Sequence, residues 1–227
     1  MSLGKRFDRA ASPWKQAAAA EAPRPAKGFA VNRKRILALT EEYGGEWAVQ
    51  HAQRLIRLVE IVADGLDYDP EVIWIAAHLH DWGTLPRLAR KDAPHAQRSC
   101  ELAAEFLRKE KCPKAVMEAV LEAIRYHHGG ADERCVEAVL LRDADALDGM
   151  GAIGVLREFA MVPTEDSGCY SIPTGWGLRG ALERARMRLE NNPAMVRLPK
   201  SKAIAKERAR GMREILAAFE RESFGFV

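Results

Sequence analysis

Residues 70–84 read PEVIWIAAHLHDWGT. Asp69 and Pro70 supply an N-cap and a first-turn proline, and the apolar run behind them predicts a helix that reaches Asp81 and stops at Gly83. That helix closes on two histidines and an aspartate. An unpaired charge in such apolar surroundings costs several kcal/mol, so Asp81 must be paired, neutralised or held by a metal.

The text on either side is helical as well. A helix near 32–43, the pair Gly44-Gly45 and a longer helix near 46–64 come before it. After the loop LPRLARKDAP, helices are expected from Pro94 to about Lys109 and from Pro113 to Gly129-Gly130. Others follow near 132–147, 149–161, 177–191 and 200–222, with a Gly- and Pro-containing loop after 161. Nothing alternates with period two over a useful length, and there is no internal repeat. The expectation is an all-α chain: a single-domain helical bundle over 31–227, preceded by an N-terminal extension, 1–30, with one short helix around Trp14 to Ala20.

A chain of 227 residues can bury one substantial core or at most two small ones. Its hydrophobic fraction of 48% and charged fraction of 30% are those of an ordinary globular protein. The net charge of +3 is mild and sits mostly in the N-terminal tail and the C-terminal third. It suits a small anionic substrate better than a nucleic-acid groove, so no nucleic-acid partner is indicated. Cys100, Cys112, Cys135 and Cys169 form no C-x-x-C pair and read as reduced thiols, which points to the cytoplasm. No apolar run reaches the roughly 18 residues a membrane span needs, and QAAAAEAP is too short and weakly apolar for a signal peptide.

All six histidines lie in the predicted helical part: His51, His78, His80, His95, His127 and His128. In the helix opened by Pro113, Val116, Met117, Val120 and Ile124 define an apolar face; His127 falls near its centre and His128 near its edge. His95 shares a face with Ser99, Leu102 and Phe106, and His51 with Leu55 and Leu58. His78 is turned about 200° from His80 on the same helix and belongs to the far side. A lone inward histidine is ordinarily a hydrogen-bonded core residue. Several from different helices, joined by carboxylates, are the donors with which a bundle holds Mn, Fe, Zn or Mg.

The order His51, His80-Asp81, Asp145 resembles the H…HD…D signature of the HD-domain superfamily of metal-dependent phosphohydrolases. The block LLRDADALDGMGAIGVLREFA (140–160) and the closing stretch SKAIAKERARGMREILAAFERE are similar to segments of its small stand-alone bacterial members. The resemblance covers about residues 45–222. It implies an HD-type bundle with His51, His80, Asp81 and Asp145 around one divalent metal. His95 and His127 are placed like the extra histidines of members that hold two metals, so one site is implied and a second is left open. Asp143 rivals Asp145: helical phase from Val136, Val139 and Leu140 favours Asp143, and the motif favours Asp145. Asp143 and Asp148 then stand beside the ligands.

The activity implied is hydrolysis of a nucleotide-like phosphate ester or anhydride by metal-activated water, with Asp81, His127 or Asp143 taking the proton and His128 stabilising developing charge. Arg87, Arg90 and Lys91 in the following loop are the expected contacts to an anionic phosphate-containing substrate. Trp82, Tyr170 and Trp176 are candidates to stack on a base. The GYP motif of the cyclic-dinucleotide branch is absent, HHGGADERC standing in its place. A di-iron oxygenase and a nucleotide-binding sensor without turnover are the alternatives, and homodimer formation is left open.

Overall fold

The computed structural model describes residues 31–129, 135–160 and 178–225. The expected extension 1–30, the loop after 161, Tyr170 and Trp176 lie outside the described residues. Among the described residues there are eight α-helices, one 3-10 turn and no strand.

The first helix, α1 (Arg33–Ala63), starts where the Asn32 side chain accepts the amide of Arg35 at 3.1 Å. Gly45 breaks it internally with φ 68°, a left-handed value that glycine adopts without a Cβ penalty, so the expected two helices are two rods joined end to end. The pair Asp64 (φ 46°) and Gly65 (φ 84°) ends the second rod. Helix α2 (Pro70–Leu79) carries the cap read from sequence: the Asp69 carboxylate accepts the amides of Glu71 at 2.8 Å and Val72 at 3.3 Å. It ends two residues short of the expected Asp81, because Trp82–Thr84 tighten into a 3-10 turn.

Helices α3 (His95–Lys109) and α4 (Lys114–Tyr126) each follow a proline, Pro94 and Pro113. Helix α5 (Val136–Asp148) is buried nearly all round, which is why its sequence shows so little phase. It packs against α1 and α4, and α2 packs against α1 and α4 in turn. Leu55, Ile73, Leu79, Ile124, Leu140 and Leu147 fill the space between them with no solvent exposure beyond 1%. Each such side chain contributes about 1.5–3 kcal/mol by leaving water.

Helices α6 (Gly151–Ala160), α7 (Leu178–Met195) and α8 (Pro199–Glu222) close the bundle on its far side. Val155, Leu182, Ala185, Met212 and Leu216 form their shared core. Helix α8 starts with a proline and has no capping side chain of its own. Its start is tied to α5: Asp143 Oδ1 accepts the amide of Arg197 and Oδ2 that of Leu198, both at 2.8 Å. Burial pushes the Asp143 carboxyl above its ordinary range, although these amides pull it back.

Asp143→Ala leaves one buried and one part-buried amide without their acceptor, the buried one at about 1–3 kcal/mol. The expected outcome is a loss of roughly 2–4 kcal/mol in urea unfolding with the metal content of the folded protein unchanged. A loss of metal with unchanged stability would return Asp143 to the site.

Candidate metal centre

Five helices and the turn after α2 bring side chains to one place. Three of the imidazoles there have one ring nitrogen already committed. His80 is the C-cap residue of α2, and its Nδ1 lies 3.0 Å from the carbonyl of Ala77. His127 is the C-cap residue of α4, and its Nδ1 meets the carbonyl of Ile124. A carbonyl can only accept, so both Nδ1 atoms carry the proton and both Nε2 lone pairs face away. These contacts also satisfy carbonyls that a helix end leaves without partners. His51, from the second rod of α1, is held the same way by a carboxylate, with Nδ1 2.8 Å from Asp148 Oδ2.

The freed nitrogens converge. His51 Nε2 and His80 Nε2 stand 3.3 Å apart, the spacing of two donors on one ion with bonds of about 2.1 Å. Asp145 Oδ1 lies 3.4 Å from His51 Nε2, and Asp81 Oδ2 3.4 Å from His80 Nε2. Asp81 Oδ1 reaches the other way, 3.9 Å from His127 Nε2. Two groups of donors result: His51, His80 and Asp81 in one, Asp81, His95, His127 and His128 in the other. Asp81 belongs to both, and Asp145 joins His80 and His127 between them.

The electrostatics call for a cation here. Burial alone would lower the His80 pKa, but Asp81 and Asp145 outweigh it and raise it to about 9. Burial would raise Asp81 and Asp145, yet the surrounding histidines hold both well below the usual carboxylate range. His127 goes the other way: burial, with His80 and His128 beside it, lowers it to about 3 and keeps it neutral. His95 is lowered by burial as well. The Nε2 atoms of His95 and His127 are buried without a hydrogen-bond partner. Buried lone pairs without donors, next to two ionised carboxylates, fit divalent metal ions of the Mn, Fe or Zn type.

Local structure explains the placement of each group. The 3-10 turn after Asp81 packs so tightly on α3 that a Cβ on Gly83 would lie 2.3 Å from the carbonyl of His95. The Gly83 amide donates to Ser99 Oγ at 2.8 Å, which ties the start of α3, with His95, to the Asp81 turn. On α5, Asp145 and Asp148 are three residues apart and so share a face, one beside Nε2 of His51 and the other on Nδ1. Asp148 is itself gripped by Arg54, whose Nε and Nη2 donate at 2.7 and 3.0 Å. Despite the burial penalty, the His51 and Arg54 contacts lower the Asp148 pKa to about 2. Trp47 lies parallel to the His51 ring at 5.5 Å and limits its rotation.

A cleft of about 490 Å³ opens over the cluster, with Asp81, Asp145, His95 and His128 on its floor. Arg90 and Lys91 are on its rim, as the sequence suggested, though Arg90 already pairs with Asp92 and Glu101. Three expectations need correction. Asp143 is not among the clustered donors: its carboxylate accepts two amides at the start of α8 and is not placed to take a proton there, and Asp145 is the aspartate that lies beside His51 Nε2. Arg87 is exposed and does not line the cleft. Trp82 is buried with Nε1 donating to Thr40 Oγ1 at 3.1 Å, and so cannot stack on a base. His78 does turn away, its ring on Trp74 and its Nδ1 donating to the Trp74 carbonyl at 2.8 Å. Sequence reasoning missed Arg157 and Arg188, which line the cleft from α6 and α7. No local pattern announces them.

Residues 48–150 match the HD domain family. Ribonuclease Y of Acidothermus cellulolyticus is 32% identical over 115 residues, which are 50% of this chain and 21% of that protein. The match thus spans about a fifth of that relative's length. A solved HD-superfamily hydrolase from Bacillus thuringiensis is similar with TM-score 0.57 and 19% identity, over 83% of this chain and 95% of that one. Bacillus subtilis YpgQ in complex with ADP is similar with TM-score 0.59 and 21% identity, over 83% of this chain and 96% of its own. At such identities the likeness to the solved structures is one of fold.

Asp148→Asn removes the charge that orders His51 and attracts Arg54. Metal affinity, measured by competition with a chromophoric chelator, is expected to fall about 10–100-fold. An unchanged affinity would mean that the Nδ1 contact does not set the ligand state of His51.

Proposed function

We propose, from the match of residues 48–150 to the HD domain family, that the chain is a metal-dependent hydrolase of phosphate esters or anhydrides, acting on a nucleotide-like substrate. The observation that carries this reading is Asp81, an ionised carboxylate common to two groups of imidazole donors on the floor of an open, cation-rimmed cleft.

His51, His80, Asp81 and Asp145 would hold one divalent metal, and His95 and His127, with Asp81 shared, a second. Such ions, when bound, act as Lewis acids toward a phosphoryl oxygen and lower the pKa of a water. The chain's own groups do the rest. His127, fully buried and kept neutral, orients by its Nε2 without exchanging a proton near neutral pH. His128 is the exposed member of its group, within reach of both Asp81 and His95. It can take the proton of an attacking water on a ring nitrogen and pass it to solvent. Arg90 and Lys91 at the rim attract an anion and orient it over the carboxylates.

Two likenesses favour phosphate chemistry: a structural neighbour was crystallised with ADP, and a partial relative bears the name ribonuclease. A di-iron oxygenase is the second reading, favoured by the same sharing of Asp81 between two donor groups.

Elemental analysis of protein purified without chelators or added metal is expected to find up to two Mn, Fe or Zn per chain, with release of phosphate from a nucleotide panel. Asp81→Ala should lower metal content at least tenfold and abolish turnover. Two irons with oxygen uptake and no phosphate release would replace the hydrolase by the oxygenase. Full turnover in Asp81→Ala would remove this site from the reaction.

A further inference from the structure

Arg157 is, with Arg188, one of two cations of the cleft that the mechanism above does not use. It sits in the last turn of α6 and is 7% exposed, yet it is one of the residues that line the cleft over Asp81 and Asp145. Its Nε is buried with no hydrogen-bond partner. The nearest carboxylate to it among the described residues is Asp148, 3.6 Å from Nη1, too long for a hydrogen bond. That carboxylate is already shared by the Nδ1–H of His51 and the fork of Arg54. Next along the helix, Glu158 is no help, since it faces α7 and pairs with Arg184 and Arg188. The guanidinium instead lies over the face of Trp47, 5.3 Å from the ring centroid.

A buried guanidinium with an unsatisfied N–H and only a share of one carboxylate is costly unless an anion completes it. The open side of Arg157 is the cleft. Its planar fork matches the two oxygens of a phosphoryl group. It stands on the α6 wall, beside Asp148, whereas Arg90 and Lys91 belong to the loop that precedes α3.

Resting on the hydrolase reading, we propose that Arg157 binds a second phosphoryl group of the substrate, one that is not attacked. It is then a specificity residue that selects substrates with two or more linked phosphoryl groups over those with one. Trp47 packs against both Arg157 and the His51 ring and so ties the guanidinium to that side of the donor cluster.

The test compares wild type, Arg157→Gln and Arg157→Lys, loaded with the same metal, on tripolyphosphate and on p-nitrophenyl phosphate. Metal content and thermal melting are recorded for each. Arg157→Gln is expected to raise KM for tripolyphosphate at least ten times more than it raises KM for p-nitrophenyl phosphate, and Arg157→Lys to recover part of that difference. In parallel, calorimetry in the presence of a chelator is expected to give pyrophosphate binding to wild type that weakens at least tenfold in Arg157→Gln. Equal changes for both substrates, or unchanged pyrophosphate binding, would overturn the assignment and leave Arg157 as a support for Asp148. If Arg157→Gln does not fold, the charge-preserving Arg157→Lys decides by the same ratio. Pyrophosphate binding that depends on Arg157 in a protein that hydrolyses neither substrate would strike the hydrolase reading alone.

Discussion

Each histidine ring can offer a ligand only at the nitrogen its other contact leaves free, and this constraint orders the rest of the structure. For His80 and His127 the other contact is a backbone carbonyl three residues back, so the helix must end where the ring turns in. For His51, in mid-helix, no carbonyl is free, and a carboxylate from α5 takes its place. The tight packing of α1 on α5 is what sets that contact, and Arg54 holds the carboxylate from the outside.

Much of this could be read from residue order. The caps at Asn32, Asp69 and the prolines mark helix starts through local chemistry, and the Gly44-Gly45 pair marks the break in α1 through backbone freedom. The ordered histidines and Asp81 could be read because they sit in apolar text that gives them no other partner. Helical phase failed on α5 for a plain reason: a helix buried on all sides has no polar face to serve as a reference. Asp143 and Asp145 then look alike, and what separates them is the start of α8, more than 50 residues away, which takes the whole of Asp143.

Arg157 and Arg188 were illegible for a related reason. Each follows a helical register that accounts for it as an ordinary charged residue. Only the meeting of α6 and α7 above α5 turns them toward the cleft. The loop residues Arg87, Arg90 and Lys91 were grouped by proximity in sequence, and the turn through Leu85 to Leu88 sends the first outward while the other two stay at the rim.

The rings of His80 and His127 are bonded to carbonyls of their own helix ends. The donors are thus held by the same bonds that finish the helices, and an arriving ion has little ordering to do. A centre of this kind can load and unload on a folded protein, and which ion occupies it follows supply and exchange rate in the cell as much as the shape of the pocket. Replacing one ion by another then becomes a way to change the rate of the chemistry without making a new chain.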